Sequence, residues 1–296
     1  MNDHVYDLLK WSVLSGGNGG NSGGGGEEEV NVVKGIIERT ITEISDDTVE
    51  TVGKRAFEEC RNLTSVDLPN AKSISDYGLY TCVGLTSVNL PKVESLGQYA
   101  LSSCSALVSI DLPNLTAVGQ SVFQSCSALN TVNIPKITQI TNYMFSGCKG
   151  FVNIAFPNVT RIRYGGFQNC TQLKTADFLN ATALEGTAFS GCWALENINI
   201  PKVTGIGQSA FNTCKALQSI DITSVTTISA SAFEYDSQLK IVRLPATPPT
   251  LSNTTAFNGI NAACVFYIPT GSLAAYQAAT NWSALTSTYT FTEEDR

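Results

Sequence analysis

The sequence predicts a β-rich α/β solenoid of about nine stacked coils between two end caps. The first observation is a row of cysteines that recur every 22 residues without a slip. The second is that other apolar residues recur at the same period, so equivalent side chains stack into columns. The row consists of Cys60, Cys82, Cys104, Cys126, Cys148, Cys170, Cys192 and Cys214.

Each coil contains a short strand, a proline and a turn. Val66-Asp67-Leu68 alternates apolar and polar residues as a strand does, and Pro69 marks where strand pairing stops. The Ala-Phe-x-x-Cys stretch lacks this alternation and predicts a short helical turn or bend. The column of Ile74 predicts a second short strand on the opposite side of each coil.

The repeated pattern Leu-x-x-Val-x-Leu-Pro, followed by Ile-Gly-x-x-Ala-Phe-x-x-Cys, resembles the BspA-like class of leucine-rich repeats. The resemblance covers roughly residues 40–285 and is best at Leu85 to Cys104 and Leu195 to Cys214. It implies a curved, right-handed leucine-rich-repeat solenoid with a parallel sheet on its concave side. It also implies a bacterial surface protein that binds host or neighbouring-cell macromolecules, and therefore an extracellular or cell-surface location.

Charge and hydropathy exclude several classes of partner. The net charge is −7, with 15% charged residues and no basic stripe, so we expect no nucleic-acid partner. We expect no membrane span, because no run of 18 apolar residues occurs. Asp3 and Asp7 stand where a secretory leader carries basic residues, which departs from the location that the resemblance implies.

The first 55 residues change composition twice before the repeats begin. Residues 1–15 form a short amphipathic segment, either a frayed terminus or a docking element for a partner or a second copy. Residues 16–29 are a glycine-rich flexible linker. Residues 30–55 are an N-terminal cap built as a half-repeat, in which Ile44 and Val52 occupy the columns of Val66 and Ile74.

The leucine-rich repeats occupy residues 56–253, and residues 254–296 form a C-terminal cap. We expect an irregularity in the sixth coil, where Ala176 and Leu179 depart from the pattern, and an outward loop at 246–255. Val265 to Ile268 is predicted as the final strand, stopped by Pro269. Ser272 is predicted to cap a helix over 273–281, Trp282 to cover its edge, and the residues after 285 to form a loose tail or a last edge segment.

The stacked cysteines favour packing over chemistry. Equivalent side chains in neighbouring coils point the same way, which holds their Cβ atoms too far apart for a disulfide and gives no converging metal-ligand set. Cys264 is out of register and its redox state stays open. His4 is the only histidine and precedes the linker, so we expect no catalytic residues, no metal and no cofactor in the repeats.

A polar row on the exposed side of the strands is the predicted ligand-binding surface. Asp and Asn alternate in successive coils, which keeps like charges about 10 Å apart. The alternative is a structural row, a solvated sheet whose small polar side chains hydrogen-bond along the stack, and the absence of the aromatic anchors that dominate protein recognition favours it. The predicted site residues are Asp67, Asn89, Asp111, Asn133, Asp177, Asn199 and Asp221.

The predicted function is a non-enzymatic ligand-binding or adhesion module that presents its concave face to a protein or glycan. The alternative is a structural subunit of a larger particle or fibre that assembles through the N-terminal segment. Size measurements before and after removal of residues 1–26 would separate the two hypotheses.

Overall fold

A computed structural model describes residues 41–295, which form two compact units. Unit 1 holds residues 41–137 and 148–150, and unit 2 holds Thr138–Gly147 and residues 151–295. The predicted N-terminal segment 1–15, the linker 16–29 and residues 30–40 of the predicted cap lie outside the described residues. Each unit is a parallel-strand solenoid, as the sequence predicts.

Unit 1 carries two sets of parallel strands, one on each side of its coils. The first set has three-residue strands, and the second has two-residue strands in a sheet of order β2-β4-β6-β8. The first set comprises β1 (Glu43–Ser45), β3 (Ser65–Asp67), β5 (Ser87–Asn89), β7 (Ser109–Asp111) and β9 (Thr131–Asn133). The second comprises β2 (Thr51–Val52), β4 (Ser73–Ile74), β6 (Ser95–Leu96) and β8 (Ala117–Val118).

Unit 2 repeats this arrangement with longer strands at its C-terminal end. Its first set comprises β11 (Asn153–Ala155), β13 (Thr175–Asp177), β15 (Asn197–Asn199), β17 (Ser219–Asp221), β19 (Ile241–Arg243), β21 (Val265–Pro269) and β22 (Thr290–Glu294). Its second set comprises β10 (Gln139–Ile140), β12 (Arg161–Ile162), β14 (Ala183–Leu184), β16 (Gly205–Ile206), β18 (Thr227–Ile228) and β20 (Thr250–Leu251).

The strand register confirms the period of the sequence. Residues 22 apart face each other, for example Ser65 with Ser87 in unit 1 and Thr175 with Asn197 in unit 2. The offset grows towards the C-terminal end of unit 2, to 23 where Thr227 faces Thr250, 24 where Ile241 faces Val265 and 25 where Val265 faces Thr290. The outward loop predicted at 246–255 is therefore wrong in part, because this segment contains β20 and keeps the second sheet continuous.

The turn around each repeat cysteine, here called the turn side of the coil, forms no helix. It forms a third ladder of backbone hydrogen bonds between neighbouring coils. Two residues per coil, five and one positions before the cysteine, adopt the left-handed region, such as Tyr77 (φ 58°) and Thr81 (φ 60°). This alternation lets the amides of Tyr77, Leu79 and Thr81 donate to carbonyls of the following coil over 2.8–2.9 Å. The prediction of a bend is confirmed, and the ladder satisfies backbone groups that the buried turn would otherwise leave unpaired.

The columns form the core, and the cysteines also make a polar contact there. Each repeat cysteine is buried, and Cys192 Sγ donates to the Phe167 carbonyl oxygen over 3.1 Å, 25 residues earlier. Burial raises the pKa of Cys192 to about 12, so the thiol keeps its proton. In unit 2, Phe145, Phe167, Phe189, Phe211, Phe233 and Phe257 stack with centroids 5.2–5.7 Å apart.

The ninth coil of the repeat places Asp236 in the cysteine column. The residue is fully buried, and its Oδ1 accepts a hydrogen bond from the Cys214 amide over 2.7 Å. Its Oδ2 has no hydrogen-bond partner, and desolvation raises the pKa of the carboxyl group well above its ordinary value. The ring of Phe233 in the same coil nevertheless continues the stack, so the coil keeps its shape.

The sixth coil is regular, and the predicted irregularity is wrong. Thr175, Ala176 and Asp177 keep the 22-residue register with both neighbouring strands. Ala176 is buried, and Leu179 lies exposed where other coils have proline. In the same coil Phe178 is fully buried, and its ring lies 5.9 Å from that of Phe156.

The C-terminal cap closes unit 2 with two short helices, α1 (Leu273–Ala278) and α2 (Trp282–Thr286), and with β22. Side chains replace the amides of a missing next coil: Trp282 Nε1 donates to the Pro249 carbonyl and Asn281 Nδ2 to that of Leu251, over 2.7 and 2.8 Å. The predicted covering role of Trp282 is confirmed, since the residue is fully buried.

Two expectations for this cap need correction, and the structure decides between two alternatives for the residues after 285. β21 includes Pro269 and is not the final strand, because β22 pairs with it in parallel. Ser272 makes no side-chain capping bond; Glu293 Oε1 instead accepts from the Leu273 amide over 2.9 Å. Of the two alternatives for the residues after 285, the structure shows the edge segment, β22.

Candidate functional site

The exposed side of the three-residue strands, here called the strand face, carries the predicted site residues. The middle residue of each strand points inward, as Ile220 does with 3% exposure in unit 2. The first and third residues point outward, because side chains alternate along a strand. The row of third residues is therefore accessible in both units, as predicted.

Six of the predicted residues form hydrogen-bonded pairs along this row. The side-chain amide of each Asn donates to the carboxylate of the Asp one coil earlier. Unit 1 contains Asn89 with Asp67 at 2.7 Å and Asn133 with Asp111 at 2.8 Å, and unit 2 contains Asn199 with Asp177 at 3.0 Å. Each of these carboxylates accepts a hydrogen bond from the next coil, which favours the structural role for them.

Asp221, the seventh predicted residue, has different surroundings. Its Oδ1 accepts from the amide and the hydroxyl of Thr223 over 3.1 and 2.7 Å, which fixes the carboxylate at the end of β17. The residue opposite it on β19 is Arg243, where the row would otherwise continue with Asn. The pairing of Asp with Asn along the row therefore ends in this part of unit 2.

A surface groove of about 460 Å³ begins at Asp221. It runs past the carboxyl ends of β17, β19, β21 and β22, which lie side by side in one sheet. Its lining combines apolar side chains with side chains of both signs of charge. It is lined by Asp221, Thr223, Arg243, Pro245, Ala246, Pro269, Glu294 and Asp295.

Neighbouring side chains hold Arg243 in position within the groove. Its Nε lies 3.5 Å from Glu294 Oε1, and its guanidinium carbon lies 5.4 Å from the centre of the Tyr267 ring. Asp295 Oδ1 accepts from the Thr270 hydroxyl over 2.6 Å. With three carboxylates and one guanidinium, the groove has a net negative charge.

The groove lining combines three carboxylates, one guanidinium and apolar side chains. Its lining has no cysteine, serine or histidine that could act as a nucleophile or a general base beside one. Within residues 41–295, no group of three or more His, Cys, Asp or Glu side chains is placed to hold a metal ion. The lining can supply charge pairing, hydrogen bonds and apolar contact.

Sequence reasoning identified one residue of this groove and missed the others. Asp221 was found because it belongs to the alternating row. Arg243 stood in the same row, and its departure from Asp or Asn was a usable signal. Pro269, Glu294 and Asp295 carried no signal, since they reach the groove only through the pairing of β21 with β22.

The repeats match a family model for the BspA type leucine rich repeat region, over residues 38–152 and 138–263 in 6 copies. The chain belongs to this family. Leucine-rich-repeat proteins bind other proteins and are typically non-enzymatic. No curated protein sequence matches the chain.

Solved structures of bacterial leucine-rich repeat proteins are similar to this chain. One from Bacteroides ovatus is 22% identical, with 88% of this chain and 85% of that chain covered and a TM-score of 0.42. One from T. pallidum is 27% identical, with 52% and 77% covered and a TM-score of 0.48. A leucine rich cell surface protein from Faecalibacterium prausnitzii is 21% identical, with 80% and 90% covered and a TM-score of 0.40.

The helices of residues 41–295 are too short to cross a bilayer. α1 has 6 residues and α2 has 5, and both belong to the cap of unit 2.

Proposed function

We propose that the chain is a non-enzymatic binding module of the adhesion type, which takes a basic segment of a partner protein in the groove of unit 2. The observation that carries the proposal is the groove itself, where the paired polar row gives way to Arg243 between carboxylates. Family membership supports protein binding in general, and the net negative charge of the groove lining supports a basic partner.

The groove offers the three kinds of contact that a peptide segment needs. Pro245, Ala246 and Pro269 in the lining offer apolar contact to side-chain stems. Asp221, Glu294 and Asp295 offer acceptors for Lys or Arg, and opposite charges across an interface raise both specificity and the association rate. Arg243, whose side chain is 39% exposed, belongs to a residue type enriched among the dominant contacts of interfaces.

The non-enzymatic part of the proposal follows from the same lining. The buried thiols of unit 2 face the core, and burial raises the pKa of Cys192 to about 12, which keeps it from acting as a nucleophile. The alternative function, a structural subunit, depends on residues 1–26, which lie outside the described residues, and it stays a hypothesis.

The test is a set of fluorescent peptides of equal length that are rich in Lys and Arg, rich in Asp and Glu, or uncharged. We expect the basic peptides to bind the full chain most tightly, with an affinity that falls as salt rises. The double variant Asp221→Asn, Asp295→Asn should weaken this binding by roughly tenfold, since it removes two of the acceptors.

The matched control is Asp177→Asn, which neutralises a strand-face carboxylate in a pair outside the groove and should leave peptide binding unchanged. Equal binding of all three peptide classes, or loss of binding in the control but not in the double variant, would contradict the proposal. Thermal unfolding of each variant by circular dichroism separates lost binding from lost folding.

A further inference from the structure

Two aromatic side chains of unit 2 are the most exposed large apolar residues that the structure describes. Trp193 is 54% and Tyr235 is 53% exposed. They lie on the turn side of the coils, next to the cysteine column: Trp193 follows Cys192, and Tyr235 precedes Asp236. Since exposing such rings to water is unfavourable, their position needs an explanation other than packing.

The repeats provide an internal comparison for both positions. The position of Trp193 is Thr171 in the preceding coil and Lys215 in the next one. The position of Tyr235 is Asn169, Gly191 and Thr213 in earlier coils of unit 2. The coil therefore folds with small or polar residues at both positions, and the fold does not require the two aromatic rings.

Each ring lies against a residue of the next coil, Tyr235 against Gly259 and Trp193 against Lys215. A Cβ atom at Gly259 would lie 2.8 Å from Tyr235 Cδ1, so the Tyr235 ring lies directly over this glycine. The left-handed conformation does not explain Gly259, because Tyr235 and Thr213 adopt it at the same position of their coils. Lys215 lies between the two aromatic residues in coil order, and its Nζ is 5.6 Å from the centre of the Trp193 ring.

Lys215 is a cation without an anionic partner nearby. No carboxylate in residues 41–295 lies within ion-pair distance of it. The acidic side chains of the neighbouring coils are engaged elsewhere: Glu196 lies 3.9 Å from Lys174, and Glu234 accepts from the amides of Asn212 and Asn258. In a chain of net charge −7, this edge therefore favours an anionic ligand.

We propose that Trp193, Lys215 and Tyr235 form a binding site for an extended acidic polysaccharide that runs along the turn side of unit 2. The two aromatic residues are two coils apart, about 10 Å along the stack. In a β-1,4-linked polymer, alternate sugar rings present the same face at a similar repeat, so each aromatic ring stacks on one of them. Lys215, in the intervening coil, pairs with a sugar carboxylate.

The experiment is isothermal titration calorimetry of the full chain with a β-1,4-linked mannuronate octasaccharide and with its neutral mannose counterpart. We expect the acidic oligosaccharide to bind more tightly. Trp193→Ala and Tyr235→Ala should each weaken its binding by about tenfold. Lys215→Met keeps the aliphatic stem and should reduce the affinity for the acidic ligand to that for the neutral one.

Tyr164→Ala is the matched control, because Tyr164 is 43% exposed on unit 2 but lies outside the site. Absence of mannuronate binding, or binding that Trp193→Ala and Tyr235→Ala leave unchanged, overturns the proposal. So does equal binding of a polyglutamate peptide with the same dependence on the three residues, since it would assign the site to acidic peptides.

The outcome is independent of the proposed peptide groove. The double variant Asp221→Asn, Asp295→Asn should bind the oligosaccharide as the unaltered chain does, and Trp193→Ala should bind basic peptides normally. Failure of either proposal is thus distinguishable from failure of the other.

Discussion

The strand face and the turn side of unit 2 use the same coils in opposite ways. On the strand face, the residue of one coil is bound to its equivalent in the next, as Asn199 is to Asp177. On the turn side, single coils depart from their neighbours, as Trp193 and Tyr235 do. A residue type that continues along a column stabilises the stack, because each coil is held mainly by its neighbours. A residue that interrupts a column is not explained by stabilisation of the stack and indicates another role.

This difference predicts that interrupting the phenylalanine column has the largest effect on stability. Phe189 stacks on Phe167 and Phe211 at 5.3 and 5.7 Å, with its ring fully buried. Phe189→Ala should lower the free energy of unfolding by about 4 kcal/mol, since it leaves a cavity and removes two ring contacts. Urea denaturation followed by fluorescence measures the loss.

Phe189→Leu is the companion variant, and it keeps most of the volume while removing the stacking. We expect it to lose about 1 kcal/mol, because Leu79 and Leu101 fill the same position in unit 1. A loss of equal size in both variants would show that ring stacking, and not volume, holds the column.

Asp236 is an interruption inside the core, and replacing it should have the next largest effect. Asp236→Cys restores the thiol of the column, which can donate to the Phe211 carbonyl as Cys214 does to that of Phe189. It also removes the unpartnered Oδ2. We expect the free energy of unfolding at neutral pH to rise by about 2 kcal/mol.

The pH dependence identifies the cause. Burial raises the pKa of Asp236 in the folded chain, so above the unfolded pKa of about 4 the folded state retains a proton that the unfolded state releases. The contribution of Asp236 to the free energy of unfolding therefore falls as the pH rises from the unfolded pKa towards the folded pKa. Asp236→Asn keeps the shape but does not titrate, so its stability should fall less between pH 5 and pH 8. A parallel decline in both proteins would contradict the assignment.

The features of the fold that depend on the 22-residue period could be predicted from the sequence. The spacing of Cys60 and Cys82 fixes which residues face each other, so both strand sets, the core columns and the exposed row followed from it. β20 was missed because Pro248 and Pro249 break the local pattern, while pairing with β18 still holds the strand. The capping of α1 by Glu293 depends on a residue 20 positions away, which local capping rules cannot anticipate.

The same limit applies to the candidate sites. Asp221 was found because it belongs to a periodic row. The groove was not, because its walls come from β17, β19, β21 and β22, and the last pairing falls outside the period. Along the row, the alternation of Asp with Asn predicted a separation of like charges, and the structural alternative predicted side chains that hydrogen-bond along the stack, as Asn199 does to Asp177.

That hydrogen bond gives the smallest and most specific prediction. Asn199→Asp places a second carboxylate beside Asp177, one strand spacing away, whereas Asn199→Ala removes only the amide donor. We expect Asn199→Ala to lower the free energy of unfolding by about 0.5 kcal/mol and Asn199→Asp by about 1 kcal/mol.

Salt separates the two contributions, because it screens repulsion between exposed charges and affects a neutral hydrogen-bonding group little. Raising the ionic strength should bring Asn199→Asp towards Asn199→Ala, with chemical denaturation by urea at low and high sodium chloride as the measurement. If the gap between the two variants persists at high salt, the alternation does not serve to separate charge. The row would then owe its stability to the amide–carboxylate bonds alone, and any coil could carry Asp as long as the next one carried Asn.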